Sequence, residues 1–347
     1  MATRDFGFDT LLLVSAKFSA RDLDGIWRNE LDQMAAATGA RIEHFESDWQ
    51  ASARLESEGL LFSASESSLP NHATTHGVFR HASGRYIRVT VQHGFECVGF
   101  RQSNDHDSAH GTVATFAADI LCAWSPIERL TSLSPSQRAK VAVTGPTSVL
   151  QLPAGPFERP TDAPGLVCEN LHSVRLNGAS HVKGEFVAAF NAFAELMAKR
   201  SRNIALRPHP GGQYALKHKL ALPKNVRVRN DPGYRLDLRQ FCYGISPPSS
   251  VLFDMLLAEI PTAVWRDSRR SVDASAYDGL PMVSGPDEWA DFVTAAERDA
   301  EPFLLNQRQF LKKQQIPLDP RDVFGRFAQL FQAAERRGSS EFGANPR

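Results

Sequence analysis

The stretch Ile245 to Val264, ISPPSSVLFDMLLAEIPTAV, runs through a strand end, two hydroxyls, a helix start and a second strand. An open α/β sheet builds an anion site in that order. Tyr243 to Ser246 reads as a short buried strand. Ser249 and Ser250 stand where a helix is capped, and Val251, Leu252, Met255 and Leu256 give that helix an apolar face. Its first turn presents backbone N–H groups beside two hydroxyl donors, and the helix dipole adds to their pull on a phosphate. Plain capping of the helix by Ser249 accounts for the same pair equally well, so a second element has to decide between the two.

That element is Arg207-Pro208-His209-Pro210, which follows the apolar strand Asn203 to Leu206 and precedes Gly211-Gly212. In a doubly wound sheet, the loops leaving the carboxyl ends of neighbouring strands converge on one crevice. Arg207 offers a planar fork for phosphate oxygens, His209 donates a hydrogen bond or carries a proton, and Pro208 and Pro210 restrict the loop. The expected phosphate-binding set is therefore Arg207, His209, Pro210, Ser246, Ser249 and Ser250.

The bulk numbers exclude little. The chain has 347 residues, enough for two domains with separate cores. Lys plus Arg and Asp plus Glu are both 39, so no global field favours nucleic acid, and an anion site has to be local. Cys97, Cys122, Cys168 and Cys242 are widely spaced and read as small buried hydrophobes of a reducing compartment. No apolar run reaches the length of a membrane span and Met1 to Asp9 lacks a signal-peptide core, which points to a cytoplasmic protein. No Asp-x-Asp stands at a strand end, so neither a metal nor another cofactor is expected.

Thr10 to Val14, a helix within Ala20 to Ala37, and Ile42 to Phe45 follow βαβ grammar. Leu60 to Gly84, rich in Ser, His and Asn, reads as a long loop. Tyr86 to Val91, Asp119 to Trp124 and Lys140 to Val143 read as strands. Pro153, Pro156, Pro160 and Pro164 mark 151–164 as a linker between an N-terminal Rossmann-like domain, 1–150, and a C-terminal one, 165–336. In the second half the strands are Gly165 to Cys168, Asn203 to Leu206, Val226 to Arg229, Tyr243 to Ser246 and Thr262 to Trp265. Phe186, Phe190, Phe193 and Met197 line one face of a helix. Helices near Glu288 to Ala296 and Arg321 to Ala334 close the chain, the latter with a stripe of Phe324, Phe327 and Phe331. Residues 337–347 read as a frayed tail.

Two such halves imply a cleft between them, the usual place for a substrate. From the N-terminal half, Gln92-His93-Gly94 follows a strand, and His93 suits a general base acting on an acceptor hydroxyl. Gln92 and Gly94 join it as substrate contacts. A histidine satisfied by a loop carbonyl is the competing reading.

The serine turn with its following Leu-Phe-Asp and Ile-Pro, the His-Pro loop and the Gln-His-Gly together resemble the GT-B glycosyltransferases of bacterial surface polysaccharides. The similarity is to capsular Kdo transferases, polysialyltransferases and teichoic-acid glycerophosphotransferases, and it spans roughly Tyr86 to Val264. It implies two Rossmann-like doubly wound α/β domains facing a central cleft. It also implies a transferase that moves a sugar, Kdo or another ulosonate, from a CMP-linked donor to a glycan acceptor at the inner face of the membrane. His209-Pro210 and Ser249-Ser250 would then hold the nucleotide's phosphate, with His93 beside the acceptor or the reacting carbon. The acidic pair before Gly that supplies the base in bacterial sialyltransferases is missing, because Asp22-Leu23-Asp24-Gly25 is interrupted and sits in an expected helix. Three candidates for the chemistry remain: His93, Glu169 in Cys168-Glu169-Asn170, and Asp231 in Asn230-Asp231-Pro232-Gly233. Either carboxylate suits a nucleophile in a retaining reaction, and Asp231 suits a turn former as well. Polyol-phosphate transfer from a CDP-polyol, turnover of a UDP-sugar by hydrolysis or epimerisation, and a non-catalytic nucleotide-sugar-binding subunit of a polysaccharide assembly are the alternatives.

Overall fold

Short aliphatic runs bounded by Gly, Pro or polar residues become strands, and every pairing between named strands is parallel. Parallel neighbours need crossover connections, which the intervening helices provide. The computed structural model describes residues 8–342 except 20, 21, 23, 24, 56, 57, 112, 113, 154, 156, 159, 161 and 173–179. Leu23, Asp24, Pro156 and the last five residues of the expected tail lie outside that set. Among the described residues of 151–164, only the end of the one-turn helix Thr147–Gln151 is regular.

The chain divides into two compact units, which do not follow sequence order. Met1–His93, Val113–Leu150 and Pro317–Arg347 make the first, Gly94–Thr112 and Gln151–Ile316 the second. Against the expected bounds at 150 and 165, 94–112 groups with the second unit and the C-terminal helix with the first.

In the first unit β1 (Leu11–Ser15) pairs with β2 (Arg41–Phe45). β3 (Gly59–Ser63), β4 (Tyr86–Val91), β5 (Ile120–Ala123) and β6 (Val141–Val143) form a second sheet in chain order. The expected loop from Leu60 to Gly84 therefore contains a strand, and it also contains the helix Ala73–His81. The polar sequence ATTHGVFRH hides that helix, because only Val78 and Phe79 of it are buried. The closing helix, Pro320–Phe342, extends past the expected fraying point at 337. Its buried stripe is Val323, half-buried Phe327 and Phe331, at a spacing of four, while Phe324 lies outside it and is 47% exposed. Phe331 stacks on Phe62 at 5.5 Å, and Arg326 Nη1 donates to the Val143 carbonyl at 2.8 Å. These contacts return the end of the chain to the first unit.

The second unit carries β7 (Gly165–Cys168), β8 (Ile204–Arg207), β9 (Val226–Val228), β10 (Gly244–Ser246), β11 (Thr262–Trp265) and β12 (Met282–Val283). Their order in the sheet is β12-β11-β10-β7-β8-β9. With β7 as the first strand this is the Rossmann order, and the direction of winding switches between β7 and β10. The helix Ser180–Lys199 buries Phe186, Phe190, Phe193 and Met197, as the spacing requires. Phe186 meets Trp265 edge-on at 5.1 Å and Phe193 meets Trp289 at 5.2 Å, in a core where both indoles are fully buried. The helix Glu301–Gln314 has no counterpart in the sequence reading, since Phe310 and Leu311 are its main buried apolar residues.

Gly165 opens β7 against the ring of Tyr243, and a Cβ there would lie 1.9 Å from Tyr243 Cζ. Tyr243 is itself buried and cannot swing away. Gly165→Ala is expected to destabilise the second unit by about 1–3 kcal/mol, read as a lower urea midpoint at unchanged slope.

Candidate functional site

The site grows from the winding switch of the second unit. β8 and β10 flank β7, so the loops leaving their carboxyl ends start two strand spacings apart, about 10 Å. One loop is the His-Pro segment, and the other is the serine turn. Between them stands the end of β7, Cys168-Glu169-Asn170, and Asn170 Nδ2 donates to the Pro248 carbonyl at 2.7 Å.

In the serine turn, Ser246 is fully buried and its Oγ donates to the Pro247 carbonyl at 2.8 Å, so its hydroxyl serves the turn itself. Ser249 has extended backbone and heads the helix Ser250–Leu257, yet its side chain makes no capping bond. Plain side-chain capping is therefore not its role. Its carbonyl accepts from Tyr277 Oη at 3.0 Å and from the Leu252 amide at 3.1 Å, which fixes the turn. Ser250 Oγ packs on Gly94, where a Cβ would lie only 2.0 Å from it. Phe95 continues the docking: its ring stacks on Phe253 at 5.6 Å, Tyr277 lies 5.5 Å away, and the Arg101 guanidinium sits 4.6 Å from its centroid. Gly94 is thus required for lack of space, and it packs the start of the second unit's 94–112 segment on the serine turn.

Arg207 ends β8 opposite Cys168 and is 8% exposed. Its Nη1 donates to the Asp231 carbonyl at 2.7 Å, so this guanidinium braces the Asp231 turn. The Asp231 carboxylate pairs with Arg229 Nε at 2.8 Å, and that bond holds it below the usual aspartate range. His209 lies between buried Pro208 and exposed Pro210. His209 Nδ1 accepts the Gly211 amide at 3.0 Å, so the neutral ring carries its proton on Nε2 and acts there as a donor. The His172 ring lies 4.0 Å from it, and the His172 side chain fills the space that a Cβ on Gly212 would need.

Glu169 is buried, with Oε1 accepting from the Tyr214 amide at 2.6 Å and Oε2 from the Ala215 amide at 3.1 Å. It holds the short helix Tyr214–Lys217 and, through the His209 backbone, the His-Pro loop. Burial pushes its pKa up to about 7 against the pull of those amides. Burial also pushes the Cys168 thiol up to about 12, which rules out a thiolate at this edge.

The first unit holds the other candidates. His93 is exposed, and its Nδ1 donates to the Ala64 carbonyl, so the neutral ring carries its lone pair on Nε2. The carbonyl-satisfied reading and the base reading thus describe the same ring. Gln92 is buried; its Oε1 accepts from the Trp124 amide at 2.9 Å and its carbonyl from Trp124 Nε1 at 2.8 Å, which locks β4 to β5. The side chain expected to contact substrate is therefore part of the sheet.

Sequence reading missed three residues. His172 follows Glu169 in no recognisable motif. Gln213 is buried at a φ of 48°, and neither of its amide atoms has a hydrogen-bond partner among the described residues. Glu66, buried in the stretch read as loop, bonds to three groups. Only spatial neighbours single these residues out, and no spacing rule does. Among the described residues, no group of three or more His, Cys, Asp or Glu could hold a metal ion, and no helix is long and apolar enough to cross a membrane.

Two α/β units of parallel sheet on one chain, the second in Rossmann order, define the GT-B fold, a glycosyltransferase-like architecture. Solved structures match over nearly the whole chain. The wall teichoic acid polymerase TagF, as a variant soaked with CDPG, is 11% identical, with 95% of this chain and 90% of that one covered at a TM-score of 0.58. The UDP-GlcNAc 2-epimerase of Neisseria meningitidis, bound to UDP-GlcNAc, is 14% identical, with 97% and 100% covered at a TM-score of 0.54. At such identities the likeness is one of fold. No protein-family model and no curated protein sequence matches the chain.

Two outcomes follow from this geometry. Gly94→Ala is expected to cost about 1–3 kcal/mol by overpacking, and adding Ser250→Gly should recover most of it, a coupling that a double-mutant cycle in urea measures. For Glu169 the folded pKa lies above the unfolded one, so the folded state binds the proton more tightly. Its stabilising contribution is complete below the ordinary glutamate range and is lost as pH rises to about 7. Thermal melts between about pH 5 and pH 8 should show that fall, and Glu169→Gln should flatten it.

Proposed function

We propose that this chain is a transferase that moves a sugar from a nucleotide donor to a glycan acceptor, with the donor's phosphate held at the winding switch of the second unit. The observation that carries the reading is the position of β7 between β8 and β10, which sends the His-Pro loop and the serine turn out of one sheet edge. His209 Nε2–H, the Ser249 and Ser250 hydroxyls and the first-turn amides of the helix Ser250–Leu257 stabilise the charge that develops on the leaving phosphate. Arg207 and Pro210 shape that loop, Arg207 by its bond to the Asp231 turn. His93, the covalent neighbour of Gly94, is the general base for the acceptor hydroxyl through Nε2. Glu169 and Asp231 enter as supports, one under the His-Pro loop and one paired with Arg229.

A CMP-linked ulosonate such as Kdo, with a bacterial surface glycan as acceptor, is the donor class that the sequence motifs suggest. Transfer of polyol phosphate from a CDP-polyol is the second reading. It is favoured by the separation of about 10 Å between the starts of the two loops, a span that suits a diphosphate better than a single phosphate.

A thermal-shift series with CMP, CDP, UDP and GDP tests both. A ligand at a hundredfold excess over Kd should stabilise the native state by about 2.7 kcal/mol. The expected result is a response to a cytidine nucleotide that disappears in His209→Ala and in Ser249→Ala with Ser250→Ala. His93→Asn should keep that response while lowering turnover about 10²–10⁴-fold. Phosphorus in the product selects the second reading over the first. Silence toward all four nucleotides overturns both, and binding with unchanged turnover in His93→Asn removes the base.

A further inference from the structure

Glu66 is a buried carboxylate of the first unit that the phosphate site does not use. Its side chain is 0% exposed. Oε2 accepts from Thr90 Oγ1 at 2.7 Å, while Oε1 accepts from the Ala117 amide at 3.0 Å and lies 2.5 Å from Nδ1 of His76. A buried carboxylate is tolerated only when such partners replace water, and leaving one of them out is costly. The partners come from β4, from the segment before β5 and from the helix Ala73–His81, so Glu66 joins three elements.

The chain around Glu66 explains what this junction holds. Ala64 to Leu69 leaves the carboxyl end of β3, and β3 pairs with β4 so that Ser63 stands opposite Thr90. The loop is pinned again by Ser67 Oγ to His72 Nδ1 at 2.7 Å, and by the reciprocal bonds of Ser68 and Thr115 at 2.8 and 3.0 Å. The carbonyl of Ala64 in this loop accepts the Nδ1–H of His93, two residues past the end of β4. A carbonyl can fix an imidazole's tautomer and ring direction only if the carbonyl itself cannot move. The Ser65 amide of the same peptide donates to Ser63 Oγ at 3.1 Å, and the Glu66 bonds fix the loop one residue further on.

We propose that Glu66, with His76, is a positioning pair for His93: it anchors the Ala64 carbonyl so that the His93 ring keeps its proton on Nδ1 and its lone pair on Nε2. This rests on the reading of His93 as the base. Glu66 acts through the loop and does not touch the reacting atoms, in the way that outer partners orient a ligand or a catalytic base.

The test uses the whole chain carrying isotope-labelled histidine, with the His93 signals assigned by their loss in His93→Asn. Wild type should show His93 in the Nδ1–H tautomer. Glu66→Gln keeps the shape but turns an NH₂ toward a donor, and it should shift His93 toward the Nε2–H form. Turnover of a CMP-linked ulosonate, or of CDP-glycerol where that is the donor turned over, should fall about 10–100-fold while the donor KM stays within about twofold. Thr90→Val removes a single bond and should move both readouts in the same direction by less, which keeps the test open if Glu66→Gln does not fold. A lower melting temperature with the His93 tautomer unchanged in the folded variants overturns the proposal and leaves Glu66 a purely structural group. If His93→Asn leaves turnover unchanged, the base reading fails, and the tautomer shift alone still decides whether Glu66 positions the ring.

Discussion

Parallel pairing around β7 is the constraint on which the rest of the second unit depends. A parallel sheet must return each strand by a crossover, so all of its strands end at one edge. Because winding reverses at β7, the loops after β8 and β10 diverge on either side of it and leave a crevice there. Glu169 and Asn170 fill the base of that crevice with hydrogen bonds to the loop on each side. Glu169, whose carboxyl group burial displaces strongly, is held by backbone amides.

Two histidines show how backbone alone can assign opposite chemistry to the same side chain. At His209 an amide donates to Nδ1, which makes Nε2 the donor. At His93 a carbonyl accepts from Nδ1, which makes Nε2 the acceptor. The first arrangement suits an anion and the second suits removal of a proton. Steric limits are as selective as these bonds. Gly94 cannot carry a side chain because Ser250 Oγ occupies the place, and Gly212 cannot because His172 does.

The parts of the fold that could be read from the chain are those where one side of an element is strongly apolar. The strands β7 to β11 of the second unit and the helix bearing Phe186, Phe190, Phe193 and Met197 fall in this class, while the two-residue β12 does not. The strand and helix between Leu60 and His81 could not be read, because Thr, His and Ser outnumber the few residues that become buried there. The closing helix was legible, but its stripe was off by one residue. Val323 rather than Phe324 faces inward, where its Cγ2 lies 2.9 Å from the place a Cβ on Gly145 would take. The site was legible to the same degree. The His-Pro loop and the serine turn are local motifs, whereas His172, Gln213 and Glu66 acquire meaning only from partners far along the chain.

The sequence by itself determined the α/β class, the second unit's strands from β7 to β11, and the identity of two polar turns, because periodicity and turn chemistry act over a few residues, whereas the two-residue β12 is too short to show either. Only the tertiary structure decided that Gly94 and Phe95 pack on the serine-turn helix, that the last helix returns to the first unit, and which nitrogen of each histidine carries the proton. Those outcomes depend on contacts between residues distant in sequence, where a single ångström of available space or a single carbonyl sets the result.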